Sequence, residues 1–282
     1  MFTRRAASLP EPEGGRTELA RLVTGRLRGW LSVRHSLGIE AALVLTLYGA
    51  YESARGLVVG DTGEADRHAE QVVALERSLH FFVEGKVQHA ADAPPGLRGL
   101  LGVAYLTLHL AVTAVVLLWL HQRRPTAFPF VRTTLLAASA LALVGFLTYP
   151  TAPPRLAGIG IADTVSNGHV NLNHGLVSSL YNPYAAVPSM HVGYAVIVAT
   201  SLVRFGGGRL VRTLGAVYPA FVLLVVVATG NHFFLDAVAG ALVAAIAIAA
   251  ASLLTRAAVR NAPAAIALPV RDVVPSCEEL AA

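Results

Sequence analysis

The chain has 282 residues, 55% of them hydrophobic and only 14% charged, with a mean hydropathy of +0.59. That balance excludes an ordinary water-soluble domain and places the chain among integral membrane proteins. The formal net charge of +5 calls for no nucleic-acid partner, because membrane topology and anionic lipid headgroups account for it.

In chain order, residues 1–35 form an arginine-rich tail without an apolar core, so no cleavable signal peptide is expected and the first span is retained. Six stretches then approach or exceed the roughly 18 apolar residues that cross about 30 Å of hydrocarbon. They run near Leu37 to Val59, Leu97 to Leu120, Val131 to Tyr149, Met190 to Phe205, Leu210 to Ala228 and Phe233 to Leu254. Continuous Ala/Leu/Val-rich runs must satisfy their backbone hydrogen bonds internally, which makes them helices and not barrel strands. The expected fold is therefore all-α: a polytopic six-helix transmembrane bundle over residues 36–256.

Two connections are too long to be simple turns. Between spans 1 and 2, Ala65, Ala69, Val72, Val73, Leu75, Leu79, Phe82 and Val83 recur at helical spacing among Asp66, Arg67, Glu70, Glu76 and Arg77. This pattern predicts one amphipathic helix on the membrane surface, stopped before Pro94-Pro95; a solvated helix in a small cap fits equally well. Between spans 3 and 4, prolines at 150, 153, 154, 183 and 188 constrain both ends of a long loop. A loop of this length usually carries function. The tail over 257–282 is polar, is expected to be disordered, and holds the sole cysteine, Cys277, so neither a disulfide framework nor a structural zinc site is expected.

Charge supplies an orientation. Sixteen of the 22 basic residues fall in the N-terminal tail, the loops after spans 2 and 4, and the C-terminal tail. The positive-inside rule then puts both termini in the cytoplasm of a multi-pass cell-membrane protein. Arg155 follows span 3 at its outer end, His191 lies in the first turn of span 4, and His232 and Asp236 open span 6. All four groups are expected at one extracytoplasmic boundary, where polar groups are costly and tend to mark function.

His232 and Asp236 are four apart, so on a helix they share a face. A carboxylate on one imidazole nitrogen fixes the tautomer and leaves the other as a directed nucleophile or base. His191 can then act as general acid, and Arg155 can recognise phosphate oxygens. Ser189 either caps span 4 or adds a hydroxyl to that phosphate site. Together they make a phosphoryl-transfer site that needs no metal and no cofactor. Each group also has a bland reading: His191 as an interfacial anchor, His232 and Asp236 as a structural pair, Arg155 as a snorkelling side chain.

Pro188-Ser189-Met190-His191 is similar to the second motif of the type 2 phosphatidic acid phosphatase superfamily, and His232 and Asp236 match the His-x-x-x-Asp that ends its third. The fuller string Thr229-x-x-His232-Phe233-x-x-Asp236, with Tyr149 to Arg155 as first motif, resembles the inositol phosphorylceramide synthase-like branch. The resemblance covers roughly residues 36 to 256. It implies a phosphohistidine on His232 oriented by Asp236, with His191 as the acid and Arg155 on the phosphate. The substrate implied is a phosphorylated membrane lipid, with water or an alcohol as acceptor. The usual lysine followed by Arg-Pro is absent, and Val225 and Val226 stand where Ser-Arg is usual, which fits the transferase branch better and leaves hydrolysis or transfer open. Tyr181, Asn182, Tyr184, His169, Asn171, Asn173 and His174 are polar enough to bind an acceptor. A proton-coupled transporter using the same His and Asp groups is the alternative from another class, disfavoured by the lack of an inverted repeat.

Overall fold

The computed structural model describes residues 37–57, 62–164 and 182–260. The N-terminal tail, most of the C-terminal tail with Cys277, and loop residues Tyr181, His169, Asn171, Asn173 and His174 lie outside the described residues. Eight helices and no strand are found among the described residues: α1 (Leu37–Leu57), α2 (Thr62–Ser78), α3 (Glu84–Asp92), α4 (Leu97–Arg123), α5 (Phe128–Thr148), α6 (Met190–Phe205), α7 (Arg209–Ala228) and α8 (Phe234–Arg260). The last helix runs beyond the expected end of its span.

Four helices are long and apolar enough to cross a membrane: α4, α5, α7 and the Phe234–Thr255 part of α8. The apolar α6 is shorter. Helix α1 has 21 residues but carries Glu40, Glu52 and Arg55. Two of its charges are neutralised within the helix, where Arg55 Nη1 meets Glu52 Oε2 at 3.0 Å. The third, Glu40, forms a buried ion pair with Arg132 of α5, so Arg132 is an interhelical partner and not a free loop charge. Large apolar side chains such as Leu100, Val115, Leu147, Leu214, Leu242 and Leu253 face outward, which is costly in water and favourable in lipid.

The core is built from α5, α6 and α8, where Phe128, Val131, Leu135, Phe146, Tyr194, Ile197 and Ile248 are buried together. A second cluster joins α4, α6, α7 and the start of α8 through Leu101, Tyr105, Val192, Val222, Val225 and Ala237. Short connections make α4 and α5, and α6 and α7, neighbours in space.

The segment between the first two long apolar stretches differs from the single amphipathic helix expected. It forms α2 and α3, broken at residues 79–83, where His80 takes a left-handed φ of 56°. No Gly or Pro punctuates Leu79-His80-Phe81-Phe82-Val83, so the break is invisible to turn chemistry. The apolar stripe Ala65, Ala69, Val72 and Val73 of α2 is buried against Ala152 and Phe233. Both helices therefore pack over the end of the bundle where the two motif loops meet.

Candidate active site

The turn between α7 and α8 is tightly built. Thr229 donates its hydroxyl to Val225 O at 2.8 Å, and Gly230 takes a left-handed φ of 69° that a side chain would resist. Asn231 N and His232 N both donate to Val226 O, at 3.1 and 3.2 Å. This folds the chain back, so His232 leaves the turn facing Asp236, one helical turn on. His232 Nδ1 lies 3.2 Å from Asp236 Oδ2, and the same oxygen accepts Phe233 N–H at 2.9 Å. Asp236 is fully buried, and an ionised carboxylate there would accept the Nδ1 proton in a hydrogen bond and leave Nε2 without one.

His191 is brought to this pair by a close helix crossing. A Cβ on Gly240 would lie 2.0 Å from Ser189 O, and one on Gly193 would lie 3.1 Å from Gly240 O. Only glycine lets the start of α6 lie so near α8. Ser189 N–H donates to Asp236 O at 2.9 Å and locks the approach. The His191 and His232 rings are then 5.5 Å apart, centroid to centroid. Tyr105 of α4 stacks on His191 at 4.5 Å, and His109, one turn on, lies 4.1 Å from it.

The first motif docks beside this pair. Arg155 N–H donates to Gly230 O at 3.0 Å, and its Nε donates to Asn231 Oδ1 at 2.9 Å. Its Nη1 sits 3.4 Å from Asp163 Oδ2, and the side chain is only 2% exposed. Tyr149 stacks on His68 of α2 at 3.9 Å. Thr151 N–H donates to Tyr184 O at 2.7 Å and Ala186 N–H donates to Thr151 O at 3.3 Å, which pairs the two loop ends.

Helices α2 and α3 supply what the motifs lack at the head of α8. Leu235 N–H donates to Glu76 Oε1 at 2.9 Å, and Phe234 N–H donates to Glu84 Oε1 at 3.3 Å. Three carboxylates, those of Glu76, Glu84 and Asp236, thus take the first free N–H groups of the helix that carries the site. Both glutamates are fully buried. Burial, then the hydrogen bond to Glu84, pushes Glu76 up to about 9. Burial thus disfavours a charge on Glu76 beside the other buried carboxyl groups.

An open pocket with about 520 Å³ of atom-free space, part of it outside the protein, is lined by both histidines. Its lining includes His191, His232, Asn231 and Pro153, together with Tyr48, Tyr51, Glu52 and Arg55 of α1 and Tyr194 of α6. A smaller apolar pocket behind His191 is lined by Val222, Val225 and Val226 with Tyr105 and His109.

The sequence-derived group is therefore placed as follows. His191 and His232 line the cavity, and Asp236 lies behind His232. Arg155 lies behind Asn231 and off the wall. Ser189 is fully buried, and its hydroxyl neither caps α6 nor finds a partner among the described residues. Its contribution is through the backbone. Of the acceptor candidates, Asn182 reaches the cavity, whereas Tyr184 packs against the α2 cluster. Sequence reasoning passed over Tyr105, Arg55, Glu76, Glu84 and Asn231 as site residues. A polar face at Tyr105 and His109, four apart on an apolar helix, was the one signal open to it.

Among the described residues, no group of three or more His, Cys, Asp or Glu is placed to hold a metal ion. A family model described as the PAP2 superfamily matches residues 70–250. No curated protein and no solved structure matches the chain.

Proposed function

The chain belongs to the PAP2 superfamily, and we propose that it is a membrane enzyme transferring a phosphoryl group from a phosphorylated lipid through His232. Superfamily membership supports a function of the lipid phosphatase or phosphotransferase type. The single observation that carries the finer reading is the His232 Nδ1 contact to Asp236 at 3.2 Å with the His191 ring 5.5 Å away on the same cavity.

In this reading His232 Nε2 attacks phosphorus as the bond from phosphorus to the lipid oxygen breaks. His191 gives its proton to that leaving oxygen. The imidazolium formed at His232 is stabilised by Asp236. In the second half, water or an alcohol attacks the phosphohistidine, and its proton passes to His191 as the P–N bond breaks. From a lipid phosphomonoester, water yields inorganic phosphate and an alcohol a new phosphomonoester. When the donor is a lipid phosphodiester, the phosphorus on His232 keeps its headgroup and an alcohol yields a new phosphodiester, the outcome of the inositol phosphorylceramide synthase-like branch. Arg155 adds positive charge to the phosphate end through Asn231.

The same reading sets six spans, with α1 and α6 completing the bundle, α2 and α3 at the membrane surface over the site, both termini cytoplasmic and the site extracytoplasmic. Support for α1 as a span is its length and the pairing of its charges, Arg55 with Glu52 inside the helix and Glu40 with Arg132 of α5. Support for the orientation is the arginine distribution, in which the pairing of Arg132 still leaves a large basic majority on one side. The proposed partners are the lipid substrate, the bilayer and, for transfer, the alcohol.

The test is phosphate release from a panel of lipid phosphates by purified protein with chelator present. Wild type is expected to turn over and His232→Ala to lose more than about a thousandfold. Activity lost on chelation, or kept by the variant, overturns the mechanism. Labelled phosphodiester lipid supplied with candidate alcohols separates transfer of its phospho-headgroup, which yields a new phosphodiester, from hydrolysis. Ala162→Cys in a chain with Cys277→Ser is expected to react with an impermeant thiol reagent on intact cells; reaction only after lysis reverses the orientation.

A further inference from the structure

A phosphoryl group in transfer carries charge on its equatorial oxygens, and a low-dielectric cavity needs cations aimed at them. The cation that sequence reasoning assigns to this task, Arg155, has a buried guanidinium directed to Asn231 and Asp163. The place where the superfamily usually keeps another arginine is Val225 and Val226, both buried and apolar. Among the described residues, Arg55 is the cation on the cavity wall shared with His191 and His232.

Arg55 is also held in place. Its Nη1 meets Glu52 Oε2 at 3.0 Å, and its carbonyl accepts Asn182 Nδ2 at 3.1 Å from the loop that leads into α6. The side chain stays 19% exposed and faces the space that His232 faces. Resting on the reading above, we propose that Arg55 binds the substrate phosphate directly, with Glu52 as the counter-ion that keeps the guanidinium at the wall while the site is empty. Helix α1 then completes the active site, although it carries none of the three motifs. A guanidinium binds two phosphate oxygens through its planar fork, which an ammonium group does not reproduce. Glu52 also limits how far Arg55 can turn, so a bound anion meets the guanidinium at the cavity wall.

The experiment uses orthovanadate, a phosphate mimic, on the full-length protein in detergent. Phenylglyoxal is expected to modify Arg55 in wild type, and saturating orthovanadate to reduce that modification at least fivefold by peptide mass spectrometry. Arg55→Ala is expected to weaken orthovanadate inhibition at least tenfold and kcat/KM about a hundredfold, with Arg55→Lys recovering only part and added methylguanidine partly rescuing Arg55→Ala. Equal modification of Arg55 with and without orthovanadate, while orthovanadate inhibits the enzyme, overturns the proposal and leaves the histidine mechanism standing. So does an Arg55→Ala enzyme that folds and keeps its orthovanadate inhibition within twofold. If wild type neither hydrolyses lipid phosphates nor responds to orthovanadate, the underlying reading fails with it. The modification experiment needs no variant, so a misfolded Arg55→Ala does not remove the test.

Discussion

The crossing at Gly240 is the most exposed point of the proposed mechanism. In Gly240→Ala the new Cβ would lie 2.0 Å from Ser189 O and 2.9 Å from Ser189 C, backbone atoms that cannot rotate away. Ordinary contact needs about 3.5 Å, so the start of α6 and the first turns of α8 must part by roughly 1.5 Å. The 2.9 Å bond from Ser189 N–H to Asp236 O is stretched past useful length, and His191 moves away from His232 by a similar amount. A displacement of about 1 Å at reacting groups costs on the order of a hundredfold, so kcat is expected to fall by at least that factor. Thermal stability need not follow, because alanine favours helix by about 1 kcal/mol over glycine and offsets part of the clash. The assay is the initial rate of phosphate release per folded protein, with Gly49→Ala as control, since a Cβ there meets nothing within 4 Å. A Gly240→Ala enzyme with kcat within threefold of wild type, or an equal loss in Gly49→Ala, refutes the reasoning.

Asp236→Asn keeps the shape but removes the charge that fixes the His232 tautomer, and a loss of about 10³ to 10⁴ in kcat is expected; a loss under tenfold in a pH-rate profile counts against the pair. Glu76 titrates near 9 in the folded protein, above its ordinary 4.5. Its contribution to stability is present below about 4.5 and is lost as pH rises toward 9, because the unfolded chain releases the proton that the folded chain keeps. Melting temperatures of wild type are therefore expected to fall between pH 7 and 9 more steeply than those of Glu76→Gln, whose amide still accepts Leu235 N–H; parallel curves contradict this. Glu40→Ala takes the carboxylate from buried Arg132 and is expected to destabilise by about 3–5 kcal/mol, with Glu40→Met/Arg132→Met restoring most of it. Equal melting temperatures for the single variant and wild type in detergent would remove that pair from the account.

Some of this was legible from residue order. Six apolar runs were read as spans, and four of them are helices that the structure finds long and apolar enough to cross a membrane, because run length and hydrocarbon thickness are compared without any tertiary information. The i,i+4 spacing of His232 and Asp236 placed two groups on one face, and the structure joins them at 3.2 Å. Arg155 shows the limit: its position after the first motif suggested contact with phosphate, yet its guanidinium goes to Asn231 and Asp163. Ser189 shows the same, since a helix-start serine reads as a cap and its hydroxyl makes no cap here.

Residue order alone determined a membrane-class, helical chain and the local pair at the head of α8, because both follow from composition and from a period of 3.6 residues. Tertiary structure alone decided which distant groups meet that pair. Glu76 and Glu84 reach the N–H groups of α8 from 159 and 150 residues away. Arg55 shares a cavity with the histidines through the packing of α1 on α5 and the tie from Asn182 to its carbonyl. Gly193 and Gly240 look like ordinary small residues until the two helices cross. Contacts of that kind depend on how helices settle against one another, through steric fit of their surfaces, and no local pattern encodes it.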